Sequence, residues 1–325
     1  MDVDNRDSGS RPTAFGVEHL AEQLLDISAR HDGLNVHLLV QSSDRPDESD
    51  AQFAQLLDQC DVRLVPVRIN RVPESLWPKL LRLDLARSDG SLISRCALDM
   101  ALSDRAAQAL RHGRIQRSCA WIFSTQSTAS LEASIAKRSV ITTAATAPHH
   151  HWVRYYDPLI TDLFWQACDA QARQHMLEKI AAWTFVDRWG QLKMLTPPLE
   201  NMGEQERPSA PDLNGIGSLN QAWIRARTEA RVVAPDQFFA TLSTVQRGWK
   251  IGIRDRLDLD LFAWHALSLG ADFDRHPLIE EILRKVAAGG LYAELAHALD
   301  TDAWRRIEKE SQPSRFARSQ ERTML

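Results

Sequence analysis

The stretch CAWIFSTQSTASLEASIAKR, residues 119–138, predicts a β-strand followed directly by an α-helix. Residues 119–123 form a short apolar run that is typical of a buried strand, and the polar segment after it is typical of a turn. Ser127 or Thr128 begins the helix, because a hydroxyl at that position accepts a hydrogen bond from a free backbone N–H group. The stretch therefore predicts an α/β unit, and the elements on both sides of it decide which kind of domain contains that unit.

Helical and extended patterns alternate on both sides of this unit, over residues 14–195. Apolar residues recur every three or four positions where we expect helices, and short apolar or alternating runs indicate strands. The predicted helices cover residues 14–30, 53–57, 91–111, 157–168 and 173–182, and the predicted strands cover residues 36–40, 62–69, 80–85, 140–143 and 152–156. Residues 183–195 are expected to form a hairpin. The pattern predicts a mixed α/β (α+β) N-terminal lobe with a small sheet flanked by helices.

The composition changes after residue 195. The segment TPPLENMGEQERPSAPDLNGIG, residues 196–217, concentrates Pro, Gly and polar residues without periodicity, which is typical of a linker or a mobile loop. Beyond it, apolar residues fall on helical faces. We therefore expect an α/β domain at residues 14–195, a linker at 196–217, an all-helical C-terminal lobe at 218–310, and flexible tails at residues 1–13 and 311–325.

The composition is that of a globular chain with ordinary amounts of charge. The 325 residues are 44% hydrophobic and 25% charged, and the formal net charge is −4, so neither lobe has the basic excess that phosphate neutralisation requires. We therefore expect no nucleic-acid partner. The polar, acidic N-terminus and the lack of a long apolar run predict neither a signal peptide nor a membrane span. The widely spaced Cys60, Cys96, Cys119 and Cys168 favour reduced thiols and a cytoplasmic location.

Motifs of the common enzyme classes are missing from the sequence. The chain has no Walker A loop, GxGxxG, GxSxG or HExxH. Ser124 and Ser127 follow a strand and precede a helix, where a nucleophile can lie, but helix capping explains them more simply. The acidic run DRLDLD, residues 255–260, lacks the spacing and the glycine of an EF-hand, so we expect it to begin a helix in contact with solvent.

Four tryptophans, Trp223, Trp249, Trp264 and Trp304, fall in the predicted helical lobe. Aromatic side chains at helical spacing usually fill a core because of their large apolar area, and one or two exposed ones can anchor a partner. They are also the only support for a second hypothesis, a sensor that binds a small ligand and carries a helical effector lobe. Stabilisation by a ligand would identify such a sensor.

The stretch HHHWVRYYDP, residues 149–158, is the strongest candidate for enzyme chemistry. Adjacent side chains of a strand point to opposite faces, so at most His149 and His151 can share a face. A metal-dependent hydrolase that uses His149, His151 and Asp157 is therefore an alternative function. However, Asp at a helix N-cap followed by Pro at the first helical position is a common helix start. We favour this structural interpretation of Asp157 and Pro158.

The second part of this stretch, WVRYYDP, is expected to end a strand and to lead into a packed helix. Arg154 can pair with a carboxylate, and Tyr155 and Tyr156 are expected to cover an edge of the core. In this interpretation no residue is catalytic, and none binds a metal or a cofactor. We therefore expect a protein that is not an enzyme.

The order of these segments resembles the type VI secretion effector-adaptor (effector chaperone) family, whose shared domain was first catalogued as a domain of unknown function. The resemblance covers residues 14–195 and rests on an aromatic–serine strand at residues 121–124, on PKLLRL at residues 78–83 and on WVRYYDP. The family often has an arginine after YDP, where this chain has Leu159. The residues that carry the family signature are Trp121, Ser124, Arg154, Tyr155, Tyr156, Asp157 and Pro158.

The resemblance implies a cytoplasmic adaptor that binds a cognate toxic effector and loads it onto the VgrG spike of a bacterial type VI secretion system. Such an adaptor acts by protein–protein binding and needs neither turnover nor a cofactor. Its expected partners are the effector and the spike protein, and neither nucleic acid nor a membrane. We expect the effector to contact the helical lobe and its junction with the α/β lobe, since two lobes with a groove between them suit reversible binding.

Overall fold

A computed structural model describes residues 14–41, 48–67, 69, 72–143, 149–198 and 212–311. The chain divides into two compact units, Met1–Pro211 and Asp212–Leu325. The tail predicted at residues 1–13, the tail predicted beyond residue 311, and residues 199–211 of the predicted linker lie outside the described residues. A six-stranded antiparallel sheet with helices around it forms the first unit, and the described part of the second unit is helical, which confirms the expected fold class.

The first unit combines one main sheet with a small two-stranded ribbon. Its helices are α1 (Ala14–Arg30), α2 (Glu48–Leu57), α3 (Ser88–Ser103), α4 (Ala107–Arg111), α5 (Thr128–Arg138), α6 (Pro158–Ala167) and α7 (Ala170–Met176), with a 3₁₀ turn at Glu74–Leu76. Its strands are β1 (Asn35–Gln41), β2 (Val62–Leu64), β3 (Pro78–Leu83), β4 (Ser118–Ser124), β5 (Val140–Thr143), β6 (His149–Trp152), β7 (Ile180–Val186) and β8 (Leu192–Leu195). The main sheet has the order β2-β3-β1-β4-β7-β8, and β5 pairs with β6.

The main sheet is covered by helices on both faces. On β1, Val36, Leu38 and Val40 belong to a core that also contains residues of α1, α2 and α3. His37 points to the opposite face, because side chains alternate along a strand, and its Nε2 atom lies 3.2 Å from Oγ1 of Thr128 at the start of α5. The central strands β1 and β4 are consequently buried along almost their whole length, which explains their continuous apolar sequences.

The strand, turn and helix predicted for residues 119–138 are confirmed as β4 and α5. Ser127 is the N-cap of α5, and its Oγ atom accepts a hydrogen bond from the backbone N–H of Ser130. Leu131 and Ile135 are fully buried on the inner side of the helix. The predicted hairpin is also present, as the antiparallel pair β7 and β8.

The strand predicted over residues 152–156 is wrong. β6 ends at Trp152, and the following residues form a turn that leads into α6. The side chains of Tyr155 and Tyr156 are 2% and 0% exposed. A strand would direct these two neighbouring rings to opposite faces, whereas a turn allows both to be buried. The chain therefore forms a turn at Tyr155 and Tyr156, because a turn lets both rings enter the core and an extended strand does not.

The helix predicted over residues 173–182 is also wrong at its C-terminal end. α7 ends at Met176, and Lys179 then adopts a left-handed backbone conformation with a φ of 61°. The chain enters β7, where Ala182 pairs with Phe123 of β4. Pairing with the central strand thus overrides the local helical pattern.

The strand predicted over residues 62–69 is shorter than expected. β2 ends at Leu64, although the backbone N–H of Val65 still donates to the carbonyl of Pro78. Pro78 is the first residue of the neighbouring strand β3, so no further strand residues are available to pair with. The length of the neighbouring strand therefore sets the length of β2.

The second unit is a cluster of helices around α10. Its helices are α8 (Ile216–Thr228), α9 (Pro235–Ile251), α10 (Arg256–Leu269), α11 (Pro277–Ala287), α12 (Tyr292–His297) and α13 (Thr301–Ser311), with a 3₁₀ turn at Phe273–Arg275. α8 starts two residues before the predicted start of the helical lobe at residue 218. The ring of Phe262 on α10 lies 5.1 Å from the rings of both Phe273 and Tyr292 and forms the centre of this core.

Within the described ranges, no helix is both long and apolar enough to cross a membrane.

Candidate functional site

The turn between β6 and α6 is organised by the carboxylate of Asp157. Its Oδ1 atom accepts a hydrogen bond from the backbone N–H of Leu159 at 3.0 Å, as expected for a helix N-cap. Its Oδ2 atom lies 3.0 Å from Nη2 of Arg154. Pro158 occupies the first helical position, where no backbone N–H is needed. The predicted cap and the predicted ion pair are both confirmed, and both carboxylate oxygens of Asp157 have structural partners.

Arg154 connects this turn to the end of the central strand β1. Its Nη2 atom donates to Oε1 of Gln41 at 2.8 Å, and its guanidinium group lies 5.6 Å from the ring centroid of Trp152. The amide of Gln41 in turn donates to the carbonyl of Leu76. Arg154 thus connects the β6–α6 turn to the end of β1. Through Gln41, this connection continues to Leu76 in the 3₁₀ turn before β3.

The two tyrosines of the turn form part of an aromatic core. Tyr155 contacts the rings of Tyr156, Phe164 and Trp183 at centroid distances of 5.6–5.7 Å. The hydroxyl of Tyr156 accepts a hydrogen bond from the indole of Trp152 at 3.2 Å. Burial raises the pKa of both tyrosine hydroxyls well above the ordinary value. Both hydroxyls are therefore neutral near pH 7, which suits packing and does not suit a general base.

The remaining signature residues lie elsewhere in the unit. Trp121 faces the opposite side of the sheet, where its indole donates to Oγ of Ser94 at 3.0 Å. Ser124 ends β4, and its hydroxyl donates to the carbonyl of Lys179, the residue with the left-handed conformation. The same hydroxyl accepts from the backbone N–H of Gln126. Ser124 is thus not a helix cap but a bridge between two loops, and the signature residues do not converge on one chemical centre.

A buried network of charges, which the sequence patterns did not reveal, lies at the same end of the sheet as Arg154. Nη2 of Arg117 lies 2.8 Å from Oδ1 of Asp104, and both side chains are almost inaccessible to solvent. Arg105 donates to the backbone carbonyls of Ala101, Val186 and Asp187. Burial lowers the pKa of Arg105 to about 10, so the group remains charged at neutral pH. Charges at this depth require such partners, because desolvation is costly.

Arg188 extends the network to α6. Its guanidinium group lies 3.1 Å from the carboxylate of Asp162 and donates to the carbonyl of Leu159. The sequence contains one indication of this buried network, namely two adjacent, oppositely charged residues at the end of an apolar segment. Asp104-Arg105 and Asp187-Arg188 are such pairs. Their partners are far away along the chain, so the sequence pattern does not identify them.

The histidines of the proposed hydrolase site lie on the two-stranded ribbon. His149 pairs with Thr143 in the backbone register, and His151 pairs with Ile141. The side chains of His149 and His151 are outside the described residues, whereas Asp157 is occupied by its cap and its ion pair. The described side chains include no group of three or more His, Cys, Asp or Glu residues that could hold a metal ion.

A cleft of about 630 Å³ lies at the opposite end of the main sheet. Its lining includes His31, Asp61, Asp84, Asp89 and Cys60. Burial, together with the nearby charge of Asp89, raises the pKa of the Cys60 thiol, which disfavours the nucleophilic thiolate. None of the signature residues lines this cleft.

The tryptophans of the second unit are divided between core and surface. Trp223 and Trp264 are 3% and 8% exposed, as expected for core residues, while Trp249 and Trp304 are half-buried. The ring of Trp264 is flanked by the guanidinium groups of Arg225 and Arg231, 4.1 and 4.8 Å from its centroid. Stacked cations of this kind stabilise an aromatic side chain at the edge of a core.

The acidic run at residues 255–260 begins a helix, as predicted, but not entirely in solvent. Asp255 is the N-cap of α10. Asp258 is only 6% exposed and accepts hydrogen bonds from the backbone N–H groups of Tyr292 and Ala293. The prediction of solvent contact is therefore wrong for Asp258, because this carboxylate also caps the start of α12.

No family model, curated protein or solved structure matches the chain.

Proposed function

We propose that the protein is a non-catalytic adaptor of a type VI secretion system, which binds a cognate toxic effector and loads it onto the VgrG spike. The order of the signature segments along the chain motivates this proposal. The observation that supports it most directly is that the signature side chains connect parts of the fold to one another. Asp157 caps α6 and pairs with Arg154, the tyrosines pack in a core, and Ser124 bridges two loops.

This use of the signature residues favours a binding scaffold over a catalytic centre. Catalysis needs a nucleophile or a base whose reactive atom reaches the substrate. The hydroxyls of Tyr155 and Tyr156 are buried and neutral, and the carboxylate of Asp157 already accepts two structural contacts. The same contacts hold β1, the β6–α6 turn and α6 in fixed positions, which is what a protein-binding surface requires.

Co-expression of the full-length chain with the products of the neighbouring reading frames tests the proposal. The tagged chain is purified by affinity, and the complexes are separated by size exclusion with light scattering. We expect a toxin-like protein and a spike protein to co-purify with the chain at fixed stoichiometry. Failure to retain either protein contradicts the adaptor function.

Metal analysis of the same protein tests the hydrolase alternative. The chain is purified through a tag that binds no metal and is analysed by mass spectrometry for zinc and manganese. The adaptor requires no bound metal, so we expect substoichiometric amounts. One equivalent of metal that is lost in His149→Ala, and hydrolytic activity lost with it, would establish the alternative.

A further inference from the structure

The sequence contains one Asn-Gly pair, Asn214-Gly215, and it lies at the start of α8. Asparagine is a thermolabile residue, because the backbone nitrogen of the next residue can attack the carbonyl carbon of its side-chain amide. Glycine at that next position allows the closest approach, since it has no side chain and restricts the backbone least. Asn214 is exposed, so the water that completes the reaction can reach it. The pair therefore has the chemistry of a spontaneous modification site.

The modification is deamidation, which needs no enzyme and no reagent except water. The backbone nitrogen of Gly215 loses its proton and bonds to Cγ of Asn214. The bond from Cγ to Nδ2 breaks, and the amide group leaves as ammonia with that proton. The resulting five-membered succinimide ring then adds one water at either of its two carbonyl carbons. Opening at one carbonyl gives aspartate, and opening at the other gives isoaspartate, in which the backbone passes through the former side chain.

The folded turn at this pair holds the two reacting atoms apart. The backbone N–H of Ile216 donates to the carbonyl of Leu213 at 3.3 Å and closes the turn. Gly215 has a φ of 82° and a ψ of −11°, as the third residue of a type II turn does. The second residue of such a turn, here Asn214, has a ψ of about +120°, which rotates its Cβ away from the following nitrogen by about 120°. Ring closure needs both atoms on the same side of the Cα–C bond, so the turn must open first.

The carboxylate of Asp212 fixes the amide that would leave. Oδ1 of Asp212 accepts a hydrogen bond from Nδ2 of Asn214 at 2.8 Å and another from the backbone N–H of Asn214 at 3.2 Å. The first of these bonds must break before Cγ of Asn214 can rotate towards the nitrogen of Gly215. Asp212 therefore restrains the side chain in addition to the restraint from the turn.

Contacts with α9 keep the turn closed. Nε2 of Gln246 donates to the backbone carbonyl of Asp212 at 2.9 Å. Gly215 is buried against Val245, so closely that a Cβ atom at Gly215 would lie 2.5 Å from Cγ1 of Val245. Rotation about the Cα–C bond of Asn214 displaces Gly215 from this contact. The reaction therefore requires a local opening in which the start of α8 separates from α9.

We propose that Asn214 is a latent deamidation site, which the folded turn protects and which converts to aspartate and isoaspartate when the start of α8 opens. Isoaspartate adds one methylene group to the backbone directly before the helix, so the turn cannot close again in its original geometry. The product therefore loosens the attachment of α8, whose Leu219 and Trp223 are buried in the core. The chemistry needs no effector and is independent of the adaptor function.

Incubation of the full-length chain in buffer and in urea tests the proposal. Both samples are held at the same mildly alkaline pH, where the attacking nitrogen loses its proton more readily, and their proteolytic peptides are analysed by mass spectrometry. We expect Asn214 to convert at least about tenfold more slowly in the folded chain than in urea, because the turn must first open. Asn35 is the internal control, since the branched Val36 follows it and its amide donates to the carbonyl of Gln126. It should stay unmodified in buffer and convert more slowly than Asn214 in urea.

Two variants of the folded chain separate the hydrogen bonds of Asp212 from its ion pair. Asp212→Ala removes both bonds to Asn214, and we expect conversion to become about fivefold faster, the effect of losing one hydrogen bond. Lys250→Ala keeps those bonds and removes only the ion pair between Nζ of the exposed Lys250 and Oδ2 of Asp212, 3.6 Å apart. It should change the rate by less than about twofold, because exposed ion pairs contribute little. Thermal unfolding verifies that both variants are folded.

Three other outcomes overturn the proposal. Equal rates in buffer and in urea would show that the turn does not protect Asn214. Absence of conversion in urea would show that Asn214 is not a modification site. Equal rates in Asp212→Ala and Lys250→Ala would show that the hydrogen bonds of Asp212 do not restrain the amide.

Discussion

Asp157 shows how a residue that looks catalytic in the sequence can be structural in the folded chain. In the same ten-residue stretch as three histidines, a carboxylate is a plausible metal ligand or general base. In the fold, one oxygen caps α6 and the other pairs with Arg154, which continues to Gln41 at the end of β1. The cap was predictable because it depends on neighbouring residues. The link to Gln41 was not, because it joins residues far apart in the chain.

Replacement of Asp157 by alanine should destabilise the first unit. The loss combines an N-cap, typically worth about 1 kcal/mol, with a partly buried arginine left without its carboxylate. We expect the free energy of unfolding in urea to fall by about 2 kcal/mol, the sum of those two terms. Ser127→Ala removes an exposed cap of α5 and should cost only about 0.5–1 kcal/mol. A variant with unchanged stability that has lost a measurable turnover would instead support the hydrolase.

The crossing of α9 and α10 depends on a glycine where the two helices touch. A Cβ atom at Gly248 would lie 2.5 Å from Cε1 of Phe262, far inside van der Waals contact. Phe262 is fully buried and packed against Phe273 and Tyr292, so its ring has little freedom to move. The apolar periodicity of α9 predicted the buried face of the helix, but not which position must be glycine, because that depends on the approach of α10.

Replacement of Gly248 and of Gly217 by alanine should have opposite effects on stability. At Gly248 the new methyl group overpacks the core, and we expect a loss of about 1–3 kcal/mol in the free energy of unfolding. At Gly217, within α8, no atom lies within 4 Å of the added Cβ. Alanine there should be neutral or stabilising by up to about 1 kcal/mol, because it restricts the unfolded chain and favours the helix. Urea unfolding followed by circular dichroism measures both, and equal effects would contradict the close helix contact.

Each of the two units contains a buried histidine that is expected to be neutral. Burial, assisted by the charge of Arg82, lowers the pKa of His37 to about 4. Burial, assisted by the charge of Arg225, lowers the pKa of His265 to about 4 as well. Nδ1 of His265 also lies 2.8 Å from the hydroxyl of Tyr292. Each unit therefore contains a position that is sensitive to acid.

Acidification should destabilise both units between about pH 6.5 and 4. In that range the unfolded chain, with an ordinary imidazole pKa near 6.5, binds protons that the folded chain excludes, so the free energy of unfolding falls as the pH falls. We expect His37→Gln and His265→Gln each to lose less stability than the wild type between pH 7.5 and 5.5. Urea unfolding at the two pH values measures this difference. A pH dependence unchanged in both variants would contradict neutral burial of the histidines.

The sequence alone determined the features that depend on neighbouring residues. These are the strand–turn–helix at residues 119–138, the caps at Ser127 and Asp157, the apolar helical faces and the change from α/β to helical composition, because capping and periodicity act within a few residues. The tertiary structure decided how Tyr155 and Tyr156 are buried, where β7 begins, which charges share the interior with Arg105 and Arg117, and that Asp258 caps the start of α12. Those features depend on contacts between distant segments, whose burial outweighs local conformational preference.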